Sequence, residues 1–319
     1  MTAKQKHTAR KIAVAATAAT AVAAAAVSGS AYLLHYALAS ERKTQQQYVK
    51  HLIKHSPREA LPWLSALRTT RTLRDTTALI GGRRLHALYI DAPRPTRHTA
   101  VLVHGYKDCS ISMLHIAYIY NGLMGFNVLL PDLYGHGRSE GDHINMGWLD
   151  RLDVMRWMDI ANRKWGGDTQ MVVHGISMGA ATTMCVSGER LPAYVKCFVE
   201  DCGYTSVWDE FAHQLHEQFG LPAFPLLYTA SAINRMRYGW SFADASPLKQ
   251  VAKCRLPMLL IHGDKDDFVP SSMVYPLYAA KPQPKELYIA HGTRHARAFR
   301  DHPAEYIRRV REFVGRYIK

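Results

Sequence analysis

A lone hydroxyl stands between two glycines in Gly175-Ile176-Ser177-Met178-Gly179. Before it runs the apolar stretch Met171, Val172 and Val173; after it, Ala180, Ala181, Thr182 and Thr183 read as the inner face of a helix. A residue forced into a sharp strand-to-helix turn is strained, and it fits only if its neighbours two positions away lack side chains. Such a turn lifts Ser177 Oγ above the sheet and aims the first helical N–H groups at whatever binds there. That is the pattern of a nucleophile elbow, in which a serine made reactive by a base attacks a carbonyl. A Gly-rich loop with an incidental serine shares the same five letters, so the surrounding elements have to separate the two readings.

Other reactive types are scattered. His104, His174 and His262 each precede a glycine at the end of an apolar run, where a histidine commonly satisfies a backbone group, so they mark strand ends rather than catalysis. His213 and His216 lack a third ligand. The cysteines (Cys109, Cys185, Cys197, Cys202 and Cys254) form no CxxC and no Cys/His ligand spacing. An odd separation points Cys197 and Cys202 to opposite faces of a strand. Reduced thiols, no disulfide framework, no metal and no cofactor are expected.

The elements that would position Ser177 follow from hydrophobic periodicity. "DTTALI" and "RLHALYIDA" alternate about Gly81-Gly82, a two-residue hairpin signal. Strands and helices then alternate. "TAVLVHGY" is a strand, Met113 to Leu123 a helix, "FNVLLPD" a strand, Leu149 to Trp165 a helix, and "TQMVVHG" the strand before Ser177. "YVKCFVEDC", "LPMLLIHG" and "KELYIAHG" follow as strands, and Pro303 opens the last helix. The alternation implies an α/β fold, a mostly parallel sheet with helices on both faces. Residues 203–250 contain no strand signal and read as a short helical cap over the carboxyl edge of the sheet, where ligands of such sheets bind.

The 319-residue chain carries a net charge of +14. Residues 1–75 hold 12 Lys/Arg against 3 Asp/Glu, so the excess sits mainly on an N-terminal appendage. The body has no basic stripe with interleaved aromatics, which argues against nucleic acid; an anionic membrane surface suits the appendage better. From Ile12 to Ser40 no residue is charged, and as a helix this run would span about 43 Å against roughly 30 Å of hydrocarbon. Lys4, Lys6, Arg10 and Lys11 precede it. The length favours an uncleaved anchor over a cleaved secretory signal using Ala37-Leu38-Ala39. The more positive N-terminal flank places the body outside the cytoplasm. The expected organisation is an anchor or signal segment over 1–40, a basic membrane-proximal arm over 41–74, and a catalytic body over 75–319 with its cap at about 203–250. Residues 1 to about 40 are expected to tether and to contribute nothing to catalysis.

Five loops in fixed order give the body a resemblance. "LVHGY", "PDLYGHGRSEG", "GISMG", "HGDKDDFVP" and "HGTRHA" together resemble the α/β-hydrolase fold, in its serine-aminopeptidase and monoacylglycerol-lipase-like branch, over about residues 75–319. The resemblance implies Ser177 as nucleophile and His295 as the base that becomes the acid for the leaving group. It implies an acid from Asp264, Asp266 and Asp267, with the family's His-Gly-x-x-Asp register selecting Asp266. The oxyanion hole would be the backbone N–H groups of Tyr106 and Met178. Asp132 and Asp201 are read as structural. Tyr106, Trp208, Phe211, Phe219 and Tyr228 are candidate pocket lining, and Arg294 and Arg297 are surface charges beside the histidine. The implied activity is a serine hydrolase of small-molecule carboxylic esters working through an acyl-enzyme; the N-terminal segment, outside the resemblance, adds the expectation of a membrane anchor with membrane lipid as its partner. A peptidase or amidase of the same fold would need a cap carboxylate such as Glu210 or Glu217 to hold an amine. A catalytically silent interaction module is the alternative from another class. The sequence carries no signal for the oligomeric state.

Overall fold

The computed structural model describes residues 3–70 and 72–319. Among these, eight strands form one sheet in the order β1-β2-β4-β3-β5-β6-β7-β8. The strands are β1 (Leu73–Ile80), β2 (Arg83–Ile90), β3 (His98–Val103), β4 (Asn127–Pro131), β5 (Gln170–Ile176), β6 (Val195–Asp201), β7 (Met258–Gly263) and β8 (Lys285–Ala290). β1 and β2 are antiparallel to each other, and β2 is antiparallel to β4; every pair from β4 to β8 is parallel. The Gly81-Gly82 turn has positive φ at both positions, 55° and 76°, the geometry that two-residue hairpins need and that glycine supplies. The parallel strands are the continuous apolar runs. Every residue of β7 is buried, as is every residue of β3 beyond His98, because helices cover both faces.

The helices are α1 (Ala3–Leu38), α2 (Gln45–His55), α3 (Leu61–Thr70), α4 (Leu114–Ala117), α5 (Asp150–Lys164), α6 (Met178–Ser187), α7 (Val207–Phe219), α8 (Leu226–Tyr238), α9 (Pro247–Val251), α10 (Val274–Ala280), α11 (Ala298–Asp301) and α12 (Pro303–Tyr317). The helix expected over Met113–Leu123 is irregular. It starts as a 3₁₀ turn, passes through α4 and widens into a π-turn over Tyr118–Leu123. There Asn121 Nδ2 donates to the carbonyls of Asp91 and Phe126, which ties the turn to the loops flanking β3 and β4.

The N-terminal region departs most from expectation. The 41–74 segment is no free arm: a Thr44/Gln47 capping box starts α2, and Tyr48, Leu52, Leu64 and Leu67 are buried against the body. α1 does not separate from the body at residue 40. Leu34 and Leu38 are buried, Ser30 Oγ donates to the Leu226 carbonyl at 3.0 Å, and Ala39 bridges to His143. Among the described residues no helix is long and apolar enough to cross a membrane. The expected anchor falls largely on the side chains of residues 12–23, and these, with Lys6 and Arg10 of its positive flank, lie outside the described part.

Candidate active site

The site lies at the carboxyl edge of the sheet, where β3, β5, β6, β7 and β8 end. Ser177 joins β5 to α6 with φ 57° and ψ −121°, a backbone conformation that costs a non-glycine residue roughly 1–3 kcal/mol. Its N–H is held by the Asp201 carbonyl at 2.8 Å. The flanking glycines are required by contact. A Cβ on Gly175 would sit 2.0 Å from the Gly179 carbonyl oxygen, and one on Gly179 would sit 2.1 Å from the Val103 carbonyl oxygen. Close packing of β3, β5 and the start of α6 therefore forces the elbow.

The structure brings Ser177, His295 and Asp266 together. His295 Nε2 is 2.9 Å from Ser177 Oγ, and His295 Nδ1 is 2.7 Å from Asp266 Oδ2. Asp266 is buried, and its Oδ1 accepts the N–H groups of Phe268 and Val269 at 3.1 and 2.9 Å. Burial works to raise its pKa, but hydrogen bonds from His262 and His295 outweigh it and bring the carboxyl to about 2. It therefore stays ionised and can hold an imidazolium. The neighbouring acids do other things. Asp264 accepts from the Gly292 N–H at 2.7 Å, and exposed Asp267 faces Arg294 at 3.8 Å.

The loop after β3 abuts Ser177, for a Cβ on Gly105 would lie 3.4 Å from Ser177 Cβ. Tyr106, Ser177 and Met178 all line one cleft of about 340 Å³. The cleft is walled by cap residues Phe211, Leu215, Phe219, Leu227 and Ala230, and by Phe268, whose ring lies 5.0 Å from that of His295. Of the expected lining, Trp208 and Tyr228 pack on each other (ring centroids 4.7 Å apart), and neither lines the cleft.

Asp132 anchors the loop after β4, taking His86 Nδ1 at 2.7 Å and the N–H groups of Ser110 and Arg138. Asp201 accepts the Tyr306 hydroxyl. His104 accepts the Leu133 N–H, and His174 is held between the Tyr120 and Tyr306 hydroxyls rather than by backbone. His213 contacts the Asp267 carbonyl.

Three features have surroundings that the sequence did not signal. His262 is more than a strand marker: its Nε2 lies 3.0 Å from the Val269 carbonyl and 3.3 Å from Asp266 Oδ2, so it braces the acid from behind. Glu210 is buried in the cleft wall with Oε2 unpartnered, and burial raises its carboxyl to about 8 despite the bond from Gln214. Leu33, Leu34, Tyr36 and Ala37 of α1 line the cleft, so the helix expected only to tether builds part of it. Cys202 Sγ lies within 4.8 Å of the ligating atoms of Asp266 and His295. Those two groups are already bonded to each other, and burial holds the thiol protonated, so the cluster reads as part of the hydrolytic site.

A family model described as serine aminopeptidase, S33, matches residues 94–220. The chain is 30% identical over 226 residues to the uncharacterized protein YqkD of Bacillus subtilis, covering 71% of this chain and 74% of that one. It is 28% identical over 205 residues to esterase YjfP of Escherichia coli, covering 59% and 76%. Among solved structures, an esterase of Pyrococcus furiosus superposes with a TM-score of 0.64 at 21% identity, over 79% of this chain and 94% of the other.

Proposed function

The chain belongs to the α/β-hydrolase family of serine hydrolases, and from that premise we propose that it is a membrane-anchored carboxylic-ester hydrolase with Ser177, His295 and Asp266 as its triad. The observation that carries this reading is the unbroken chain of hydrogen bonds from Ser177 Oγ through His295 to Asp266 on the wall of an apolar cleft. Ser177 Oγ attacks the ester carbonyl while His295 Nε2 takes its proton, and Asp266 holds the ring and its developing charge. The tetrahedral oxyanion is met by the N–H groups of Met178 and Tyr106, each worth roughly 3 kcal/mol in the transition state. His295 then protonates the departing alcohol, leaving an acyl-Ser177. Water, deprotonated by the same imidazole, cleaves it to the free acid and restores the serine.

An ester substrate is favoured over an amide by the cleft itself. The cleft wall is largely apolar, and the acid that lines it, Glu210, has its carboxyl raised by burial to about 8, which disfavours its pairing with the amine of a peptide substrate. The relative named as an esterase supports the same choice.

For the N-terminus, an uncleaved anchor is favoured over a removed signal because Leu38 and Ala39, within the small-x-small site, are packed into the body. The uncharged residues N-terminal to Ser30 would then span about 27 Å as helix, close to the roughly 30 Å of a bilayer core. The slightly more positive N-terminal flank, set against Arg42, Lys43, Lys50 and Lys54 on the other side, favours a body outside the cytoplasm.

The test is labelling of the full chain by a fluorophosphonate probe, together with hydrolysis of a p-nitrophenyl ester series. Labelling that survives Ser177→Ala, or an inert wild-type protein, would overturn the assignment.

A further inference from the structure

Two uncharged segments far apart in sequence meet at the mouth of the cleft. One is α1 beyond its positive flank; the other is the cap stretch from Gln218 to Asn234, which contains no charged residue. They join where α1 leaves the body. Ser30 bonds the Leu226 carbonyl, and a Cβ on Gly29 would sit 3.5 Å from Leu226 Cδ2. Before that point Ala24, Ala25 and Val27 are exposed.

The turn between α7 and α8 lies beside this exit, and its side chains are apolar and open. Phe224 is 72% exposed, Tyr228 57% and Leu221 37%, with the Phe224 and Tyr228 rings 5.8 Å apart. Exposed apolar side chains grouped in this way mark an interaction surface. Tyr32, exposed just on the body side of Ser30, is the residue type that settles at a membrane–water boundary. The inner side of the same seam is the cleft wall: Leu33, Leu34 and Ala37 from α1 face Phe219, Leu226 and Ala230 from the cap. Tyr36 closes the join, its ring edge-on to Phe219 at 5.8 Å.

We propose that the Leu221–Tyr228 tip of the cap lies on the bilayer that receives α1, and that the cleft takes its acyl chain from that bilayer, so the substrate is a membrane-resident long-chain ester. This rests on the ester-hydrolase and anchor readings above. Leu221 and Phe224 lie within five residues of Leu226 and are exposed, so a surface that takes up α1 to its contact with Leu226 is beside them. A chain leaving the lipid there passes along an apolar seam towards Ser177, which spares its methylenes exposure to water. Water adds across the ester, giving a free fatty acid and an alcohol.

The experiment uses the full chain with phosphatidylcholine vesicles carrying a long-chain diacylglycerol, and p-nitrophenyl butyrate in solution as a second substrate. Leu221 and Phe224 are outside the cleft lining. Leu221→Ser/Phe224→Ser should therefore keep its rate on the soluble ester while losing about tenfold or more on the vesicle substrate, since interfacial binding scales with buried apolar area. Phe224→Trp should keep both rates. A double variant that processes the vesicle substrate at the wild-type rate overturns the inference, as does one that only changes oligomeric state, which would show the face meeting a second copy. Wild-type protein that cleaves the soluble ester but never the vesicle lipid overturns it while leaving the esterase reading intact. Protein inert toward both substrates overturns the esterase reading as well.

Discussion

The Tyr106 hydroxyl donates to the Ala37 carbonyl at 2.6 Å, tying the loop after β3 to the last turn of α1. The same loop is held a second time, through Lys107, which pairs with Glu41 at 3.1 Å. A chain beginning at Glu41 loses the cleft residues of α1 and the partner of Tyr106 together. Its kcat/KM on esters should fall on the order of a hundredfold, the size of loss that follows from misplacing a reacting geometry by about 1 Å. A chain beginning at Ala24 keeps these contacts and should retain activity toward soluble esters. Steady-state kinetics on the two truncations decide between a helix that shapes the site and one that only tethers. Wild-type kcat/KM from the Glu41 chain would show the latter.

The hydrogen-bond chain at the site separates three neighbouring acids. Ser177→Ala or His295→Ala should lower kcat by on the order of 10⁵–10⁶ with the fold kept. Asp266→Asn should cost roughly 10⁴, because the imidazole loses its orienting partner. Asp267→Asn should cost less than about tenfold, since the exposed pair with Arg294 contributes little. Asp264→Asn should be no worse. A crippled Asp267→Asn beside a working Asp266→Asn would shift the acid by one position.

Much of the fold and of the site is legible in the amino-acid sequence. The elbow can be read at Ser177 because its cause is local: two glycines are needed wherever a strand packs that closely on a helix. The parallel strands can be read because, buried on both faces, they are unbroken apolar runs. What covers the site cannot. Leu33 and Ala37 look like any uncharged helix, and what makes them cleft residues is their meeting with the cap, which no local pattern encodes. Glu210 looks like a charge on an amphipathic helix; only the packing around it makes it a buried acid. His262 is readable as a strand end, but its contact with Asp266 depends on how the acid loop folds back.

Glu210 and Glu200 are both buried, and desolvation raises each to about 8. Between the ordinary glutamate pKa and that value, the folded chain holds protons that the unfolded chain has released. Stability therefore falls as pH rises through this window. Glu210→Gln removes one of the two contributions. Its Tm should approach the wild type below about pH 4, where both states are largely protonated, and exceed it increasingly towards about pH 8. Thermal unfolding across that range checks the sign; parallel curves for the two proteins would show that Glu210 ionises freely.

Gly175→Ala and Gly179→Ala each put a methyl within about 2 Å of a carbonyl oxygen and should destabilise the body by about 3 kcal/mol or more. Gly315, in α12, has open space where a Cβ would stand, and Gly315→Ala should stabilise by about 0.5–1 kcal/mol. Chemical denaturation of the three variants tests whether close approach, rather than helix propensity, governs the elbow.

The bond between Ser30 and Leu226 joins positions 196 residues apart, which sets an order of events during synthesis. The helix that walls the cleft is the first part of the body made, yet its partner on the cap is translated about 10–40 s later at ordinary elongation rates. Until then the face of α1 that meets α8 lacks its partner, although Leu38 can already take the Ile144 N–H. A newborn chain thus carries an open apolar helix end while its whole central sheet is still being made. Insertion of the preceding turns into lipid, as proposed above, would shelter that end until the cap arrives.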